Sequence, residues 1–557
     1  MQFGLVTIAL AGIPITWSSP TSDAIHVTKT DGRRTCTVFA RGEERSDVDN
    51  IIKAFNICQN HAEVVFPEHQ TYWIDKKLHI TLRDVNIHWS GEWMFSRNTT
   101  YWRHNSYYIP FQNHRAGFII SGDNIHVDGL GRGGIDGNGD VWYDEDKGKS
   151  TEGRPMPFVL WNITRSSGNN FYVKQPQFWS VNIMNGSNLT FENLTSTAFS
   201  NNAPAGANWV QNADGFNTMD ASNITLKSFV YRGGDDCIAI KPRSFGISID
   251  NIVCEGGNGV AIGSLGQYLE DNSVEDIVIS NATASSIHLR RVEKILISVA
   301  GEQMIRYGWD MRWSVYIKTW MGFPVPQPSN LYENEGKPSG GGWGRVQNLL
   351  FSNFVLRNVS RGPFITQDNG DNGTYRGTSN IEISGVVFRN FTGNLKSSGA
   401  RLGEISCSEE NPCFDISFED MDQLEAAEGK CRCLEHPGKT IVSQWLCRSR
   451  GDGFLQAITK RSDIWKAIVE AQTSIRSEPV TRIANKHNTT VICVPIGSSV
   501  KIGELALSLP QTEGLRVKAP LDYKKLFRST DDWNPAVEVH KLGFLSEVVR
   551  GPRPDMV

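Results

Sequence analysis

The feature that most constrains the fold is a short unit that recurs through the middle of the chain. Each copy places a turn-forming residue before alternating apolar and polar residues, which is typical of a short β-strand. Most successive copies are separated by roughly 21–35 residues, a spacing that favours a solenoid over a β-sandwich. The copies occupy residues 187–191, 222–226, 246–250, 275–279, 346–351, 379–383 and 414–418. The repeats predict an all-β parallel solenoid in which each coil stacks on the next.

The regions that flank the repeats differ from them. Residues 47–58 have helical spacing of apolar residues and an acidic start, and they predict a helix that caps the open end of the solenoid. The sequence predicts a β-helix domain over residues 25–424, followed by an extension over residues 425–557. That extension has no repeat rhythm, although residues 462–473 have a helical pattern. We predict no function for it.

An acidic trio lies within the most regular part of the repeats. Asp214 precedes a glycine, and Asp235 and Asp236 follow the pair Gly233–Gly234. Asp214 and Asp235 lie 21 positions apart, about one solenoid coil, so the three side chains are expected on one face. A bulge at the glycines would turn both paired carboxylates outward. Crowded carboxylates repel and one retains its proton, which is the arrangement that glycosidic hydrolysis requires.

Four motifs around this trio resemble those of glycoside hydrolase family 28, the polygalacturonase family. They are 212–215 (Asn-Ala-Asp-Gly), 234–237 (Gly-Asp-Asp-Cys), 257–266 (Gly-Asn-Gly and Ile-Gly-Ser-Leu-Gly) and 316–320 (Tyr-Ile-Lys-Thr-Trp). The resemblance spans about residues 47–422 and implies a right-handed parallel β-helix. It also places residues 178–181 on a strand that faces the cleft.

The resemblance assigns a role to each matched residue. Asp235 is the expected general acid, and Asp214 and Asp236 are expected to activate water in an inverting hydrolysis without any metal or cofactor. Lys318, Tyr316, Asn212 and Gln367 fall at expected substrate-binding positions. The disulfides implied are Cys237–Cys254 and Cys407–Cys413, and Cys36–Cys58 is a further candidate pair.

The chain departs from the family pattern at three positions of the site and in one segment. Asn369 stands near a position where the family often has Tyr. Asn258 stands where the family has His, and an amide hydrogen-bonds but cannot change charge. Tyr316 stands where an Arg is expected, and Tyr does not replace a bidentate contact to a galacturonate carboxylate. Rhamnose, which has no carboxylate, is therefore an alternative released sugar. Residues 288–302 exceed the family pattern.

The remaining sequence features indicate an exported protein. Residues 1–19 resemble a signal peptide, and the ten cysteines suit an oxidising compartment. The net charge of −4 gives no indication of nucleic acid or a membrane as a partner, and we expect a secreted monomer that acts on pectic polysaccharide. N-glycosylation sequons begin at Asn98, Asn162, Asn185, Asn188, Asn193, Asn223, Asn281, Asn358, Asn372, Asn390 and Asn488.

Three functions are consistent with these features. The first is an inverting pectin glycosidase, which the intact acidic trio favours, acting from a chain end on galacturonan or rhamnogalacturonan. The second is a calcium-dependent lyase, although no calcium loop is evident. The third is a non-catalytic pectin-binding solenoid, which the absent His and Arg would favour.

Overall fold

A computed structural model describes most of the predicted β-helix. The described residues are 24–149, 151–204, 206–286, 310–327, 338–370, 373–396, 400, 402–421, 423–425, 483–484 and 490–491. The predicted signal peptide, the segment 288–302, the helical pattern at 462–473, and the sequons at Asn372 and Asn488 lie outside them.

The helices of the described residues are short. They are α1 (Val48–Ile57), α2 (Thr99–Asn105), α3 (Asp140–Asp146) and the 3₁₀ helix Phe111–Asn113. The predicted capping helix is α1, which buries Val48, Ile51 and Phe55. A disulfide between Cys36 and Cys58 fixes the end of this helix to the second strand of the chain.

The strands of the described residues are β1 (Ile25–Thr30), β2 (Arg33–Val38), β3 (Asn60–Phe66), β4 (Thr71–Ile74), β5 (Leu78–Trp89), β6 (Glu92–Phe95), β7 (Tyr107–Ile109), β8 (His114–Ala116), β9 (Phe118–Asp128), β10 (Gly134–Asp136), β11 (Pro155–Met156), β12 (Phe158–Asn169), β13 (Tyr172–Lys174), β14 (Val181–Thr197), β15 (Phe216–Arg232), β16 (Asp236–Ile240), β17 (Ser244–Glu255), β18 (Gly259–Leu265), β19 (Val274–Ser285), β20 (Val315–Trp320), β21 (Trp343–Val359), β22 (Phe364–Asn369), β23 (Asn380–Leu395), β24 (Glu404–Ser406), β25 (Phe414–Glu419), β26 (Leu424–Glu425), β27 (Ile483–Ala484) and β28 (Thr490–Val491).

The strands stack in parallel as the repeats predict. Apart from the antiparallel pair β1–β2, the strands from β2 to β26 that form the solenoid pair in parallel with the coil before and the coil after. Strands β27 and β28 form a separate antiparallel pair in a second compact unit, Ser462–Val557.

The core consists of rows in which one residue of each coil stacks on its counterpart. One row is entirely aliphatic, and each of its side chains is at most 1% exposed. The row runs through Leu189, Ile224, Ile247, Ile277, Leu349 and Val386. Burying one such side chain contributes about 1.5–3 kcal/mol, so each coil stabilises its neighbours through many small contacts.

One face of the solenoid carries the acidic trio, and we call it the site sheet. It consists of the first residues of β14 and β15, followed by β16, β18, β20, β22 and β24. Its inward residues, such as Ile238 and Ile240, belong to the main core. Its outward residues are therefore the ones available for chemistry.

A small additional sheet, the arch, covers part of this outward face. The arch consists of β7, the 3₁₀ helix, β8 and β11. It packs against Phe178, Trp179, Met184 and Met219 on the site sheet side. No repeat signal predicted it, because its strands are only two or three residues long.

Candidate active site

The paired carboxylates stand at the start of β16, where an irregularity in the ladder directs them. Asp236 lies opposite Gly259 and Ile238 lies opposite Val260, so β16 has one extra residue at Cys237. This bulge leaves Asp236 outward while Cys237 turns inward to its disulfide with Cys254. The bulge follows the acidic pair, rather than preceding it at Gly233–Gly234 as the sequence suggested.

A glycine on the next coil makes room for Asp235. Gly257 has a φ of +78°, and a Cβ there would lie 2.1 Å from the backbone oxygen of Asp235. Neither the backbone conformation nor the space permits another residue without a shift of the chain. The turn at Gly257 also presents Asn258, whose backbone N–H donates to the Asp235 carbonyl at 3.0 Å.

The Asp235 carboxylate accepts three hydrogen bonds. The Asn212 backbone N–H donates to Oδ2 at 2.7 Å, and the Asp236 N–H donates to Oδ1 at 2.9 Å. The third donor is the Asn258 side-chain amide, also 2.9 Å from Oδ1. The residue at the position of the family His therefore contacts the expected acid directly.

Asp214 lies on the other side of the trio beside a buried cation. The Lys241 ammonium is 3.5 Å from Asp214 Oδ2, and both side chains are less than a tenth exposed. The same ammonium lies 3.8 Å from the centre of a Trp179 ring. Cation–π and charge interactions together hold Lys241 in place. Sequence reasoning missed Lys241, because a lysine that directly follows a strand carries no signal of its own.

Asp236 is linked to the residue that replaces the family Arg. The Tyr316 hydroxyl donates a short hydrogen bond to Asp236 Oδ1, and the Tyr316 ring is only 3% exposed. The Lys318 ammonium donates to the same hydroxyl at 3.1 Å. Tyr316 is therefore a link between Lys318 and Asp236.

The three carboxylates influence one another electrostatically. Burial, and then the charge of Asp236, raise the pKa of Asp235 to about 6, although the N–H of Asn212 and the charge of Lys318 oppose the rise. Burial also raises the pKa of Asp214, while the ammonium of Lys241 opposes that rise. A proton is therefore retained within the trio under mildly acidic conditions.

The arch adds a second group of residues that sequence reasoning missed. The His114 ring lies 4.5 Å from the Trp179 ring, and His114 Nε2 is 3.1 Å from Gln112 Oε1. The Gln112 side-chain amide in turn donates at 2.6 Å to the side-chain oxygen of Gln267, which lies on the segment that follows β18. Burial, together with Lys241 and Arg115, lowers the pKa of His114, so the ring is neutral. The arch thus encloses the Lys241 side of the site.

Gln367 is a correction to the predicted substrate-binding set. Its side chain is fully buried. Its amide nitrogen donates to the Ile381 carbonyl at 2.6 Å, and its oxygen accepts from the Ser408 N–H at 2.8 Å. Alternation on β22 turns Gln367 toward the core, so the expectation that it contacts substrate is wrong. Asn212 reaches the site through its backbone N–H to Asp235.

The remaining sequence features map onto the surface and the ends of the solenoid. A third disulfide joins Cys407 to Cys413. Several sequon asparagines belong to hydrogen-bonded ladders across neighbouring coils, which are Asn185 to Asn162, Asn193 to Asn170, Asn223 to Asn188, Asn281 to Asp250, and Asn390 to Asn353. Asn98 caps α2 by accepting from Tyr101. No helix among the described residues is long and apolar enough to cross a membrane.

Comparison with known proteins decides the family. The family model described as glycosyl hydrolases family 28 matches residues 76–289 and 337–441. A protein of Aspergillus niger named "Putative galacturan 1,4-alpha-galacturonidase C" is 51% identical over 426 residues, covering 76% of this chain and 93% of that protein. The chain belongs to glycosyl hydrolases family 28. It is therefore a glycosidase, and the resemblance found in the sequence is confirmed.

One further relative supports the same assignment, and one solved structure supports the fold. The exopolygalacturonase of Cochliobolus carbonum is 30% identical over 426 residues, covering 75% of this chain and 87% of that protein. The crystal structure of the endo-xylogalacturonan hydrolase of Aspergillus tubingensis matches with a TM-score of 0.58 at 24% identity, covering 73% of this chain and 98% of that one. The predicted right-handed parallel β-helix is confirmed. The family model leaves a gap between residues 289 and 337, which contains most of the segment 288–302.

Proposed function

We propose that this chain is a secreted, exo-acting galacturonidase that removes the terminal galacturonate from pectin chains with inversion of configuration. The observation that carries the proposal is the carboxylate trio, in which Asp235 has a pKa of about 6 beside Asp214 and Asp236. Acid catalysis is most effective when the pKa of the donor is close to the working pH. The trio holds one proton ready for a leaving group.

The reaction assigns one task to each carboxylate. Asp235 donates its proton to the glycosidic oxygen as the bond to the anomeric carbon breaks. Asp214 and Asp236 accept a proton from the water whose oxygen attacks that carbon from the opposite side. Burial raises the pKa of Asp214, which suits a group that accepts a proton, and Lys241 limits that rise. The Tyr316 hydroxyl donates to Asp236 and orients it. One water is consumed, and the sugar and the shortened chain are released.

The choice of substrate and the exo action have separate support. The similar proteins from Aspergillus niger and Neosartorya fischeri are both named as galacturan 1,4-alpha-galacturonidases. Lys318 makes no carboxylate pair within the part of the chain that the structure describes, so its ammonium is available to a galacturonate carboxylate. The Phe111 ring of the arch lies 6.5 Å from the Trp179 ring, and Gln112 donates to Gln267 after β18. These contacts support a cleft that is closed beyond Trp179, which would favour binding of a chain end.

Secretion and a monomeric state belong to the same proposal. Three disulfides within the solenoid suit an oxidising compartment. The long hydrogen-bonded edges of the coils pair with one another inside a single chain, so the solenoid needs no partner to complete its sheets.

Product analysis tests the proposal. Trigalacturonate incubated with the enzyme is expected to give galacturonate and digalacturonate first, with the released sugar in the inverted anomeric form by NMR. Release of internal oligomers from long chains would contradict the exo action, and an ultraviolet-absorbing product that chelation abolishes would indicate a lyase. Because Tyr316 replaces the family Arg, a rhamnosyl substrate is the second candidate. A higher initial rate on it than on digalacturonate would replace galacturonate with rhamnose.

A further inference from the structure

The replacement of the family Arg by Tyr316 leaves the recognition of acidic sugars incomplete. The Tyr316 hydroxyl is already used by Asp236 and Lys318. Tyrosine carries no positive charge, so Lys318 is the one cationic side chain on β20. A polymer of galacturonate carries one carboxylate per sugar, so a site that grips more than one sugar needs a further cation.

Arg312 is an exposed cation four residues before Tyr316. Its guanidinium carbon lies 4.7 Å from the centre of a Trp313 ring. Within the described parts of the chain, the Arg312 side chain forms no ion pair with a carboxylate, unlike Arg243, Arg345 and Arg389. A guanidinium that stacks on an indole is held in one plane, and its outer N–H groups remain directed away from the ring.

The ring under Arg312 belongs to an aromatic platform beside the catalytic residues. The Trp313 ring lies 4.7 Å from the Tyr316 ring, and it stacks on Phe364 at 6.0 Å with an interplanar angle of 7°. Trp313 and Phe364 are both half-buried, so part of each ring is accessible. The platform therefore continues the outward face of the site sheet from Asp236 toward Arg312.

Backbone contacts place Arg312 on the side of the general acid. The Arg312 N–H donates to the Gly257 carbonyl at 2.9 Å. Asn258, the residue after Gly257, donates a hydrogen bond from its side-chain amide to the Asp235 carboxylate. A general acid must stand beside the oxygen of the leaving group. Arg312 is therefore on the leaving-group side, whereas Lys241 and the arch are on the Asp214 side.

We propose that Arg312, held on Trp313, binds the carboxylate of a sugar on the leaving-group side and selects galacturonan over neutral chains. The proposal rests on the proposed galacturonidase function and identifies the residue that compensates for Tyr316. Arginine binds a carboxylate through two parallel N–H groups, and the exposed guanidinium has no competing acidic partner among the described residues. The substrate class is an oligogalacturonate with at least one acidic sugar after the bond that is cleaved.

The test compares Arg312→Gln with the wild type on three substrates. On trigalacturonate, kcat/KM is expected to fall roughly 10- to 100-fold, because a charge-assisted contact is lost. On p-nitrophenyl galacturonide, whose leaving group has no carboxylate, kcat/KM is expected to stay within about twofold. Digalacturonate shows which sugar on the leaving-group side Arg312 contacts. A lower kcat/KM on digalacturonate indicates the first sugar after the cleaved bond. A lower kcat/KM on trigalacturonate alone indicates the second. Arg312→Lys, which keeps the charge but not the planar fork, should give intermediate values on trigalacturonate.

Two results would overturn the proposal. Equal losses on trigalacturonate and on the aryl galacturonide would mean that Arg312 acts on the released sugar or on the fold, and no loss on either would mean that it binds no carboxylate. Arg389→Gln, an exposed arginine of β23 paired with Glu419, is the matched control and should leave all three rates unchanged. If the wild type itself fails to cleave digalacturonate and trigalacturonate, the proposed function fails, and this outcome is distinct from any effect of Arg312.

Discussion

The asparagine ladders and the carboxylate trio both stack identical side chains on neighbouring coils, but the energetic consequences are opposite. In a ladder, Asn353 donates to Asn281 on one neighbouring coil and accepts from Asn390 on the other. An amide both donates and accepts, so identical residues satisfy each other when they stack. In the trio, Asp214 stacks near Asp235 and Asp236, and ionised carboxylates only accept.

The difference explains why the site recruits so many other residues. Lys241 supplies charge to Asp214, Tyr316 supplies a donor to Asp236, and Asn258 supplies one to Asp235. Even so, burial and mutual repulsion keep the pKa of Asp235 at about 6. Stacking stabilises the solenoid where each side chain both donates and accepts, and it retains a reactive proton where the ionised side chains only accept.

The largest expected effect comes from removing the retained proton. Asp235→Asn keeps the shape of the side chain but provides no acid, and general acid catalysis is commonly worth about 10²- to 10⁴-fold. We therefore expect kcat on trigalacturonate to fall by at least about 10²-fold, with the far-ultraviolet circular dichroism unchanged. Near-full activity in a folded variant would show that another group is the acid.

A smaller loss is expected when Asp236 loses its donor. Tyr316→Phe removes only the hydroxyl that bonds to Asp236, and one hydrogen bond to a charged group contributes about 1.5–3 kcal/mol. The expected fall in kcat/KM is about 10- to 100-fold. Tyr143→Phe is the control, because that hydroxyl donates to the Pro176 carbonyl. Equal effects of the two substitutions would show that the loss reflects packing.

Removing the donor to Asp235 should shift the pH dependence. Asn258 donates to the carboxylate and therefore favours its ionised form, so Asn258→Ala should raise the pKa of Asp235 further. A contact of about 1.4 kcal/mol corresponds to one pH unit. The alkaline limb of kcat/KM is expected to move upward by up to about one unit. Asn258→His should move it downward while the imidazole is charged, and shifts in the same direction would contradict this role.

The smallest effect on catalysis is expected in the ladder. Asn353 has a φ of +58°, and Asn353→Gly tolerates that conformation while it removes both ladder bonds. The free energy of unfolding should fall by about 1–3 kcal/mol, measured by urea denaturation. The kcat/KM value should not change. A kinetic effect comparable to that of Tyr316→Phe would remove the distinction between the two kinds of stack.

The sequence predicted the parts of the molecule that depend on periodicity. The repeats predicted parallel coils because alternation and coil length are local properties, and the helical spacing at 47–58 predicted α1. The 21-residue spacing predicted that Asp214 would approach Asp235. Alternation on β22 places Gln367 on the buried side with Ile365, whereas the resemblance to the family placed it among the substrate-binding residues.

The residues that the sequence did not reveal reach the site through long-range contacts. Lys241 extends back to Asp214, and His114 arrives on an arch whose strands are too short to carry a periodic signal. The position of Arg312 near the site is evident only from the structure, in which its backbone N–H donates to the Gly257 carbonyl beside Asn258. None of these contacts follows from coil spacing, because each joins different coils through side chains or through a segment outside the repeat.

The pH dependence of kcat/KM for the wild type tests the central claim most directly, because it reports the pKa of the essential acid in the free enzyme. Asp235 must be protonated to act, and its pKa is raised to about 6. On digalacturonate, kcat/KM is therefore predicted to be high near pH 5 and to fall about tenfold per pH unit above about pH 6. A value that stays constant from pH 5 to pH 8 would contradict the claim that a retained proton on Asp235 drives the reaction.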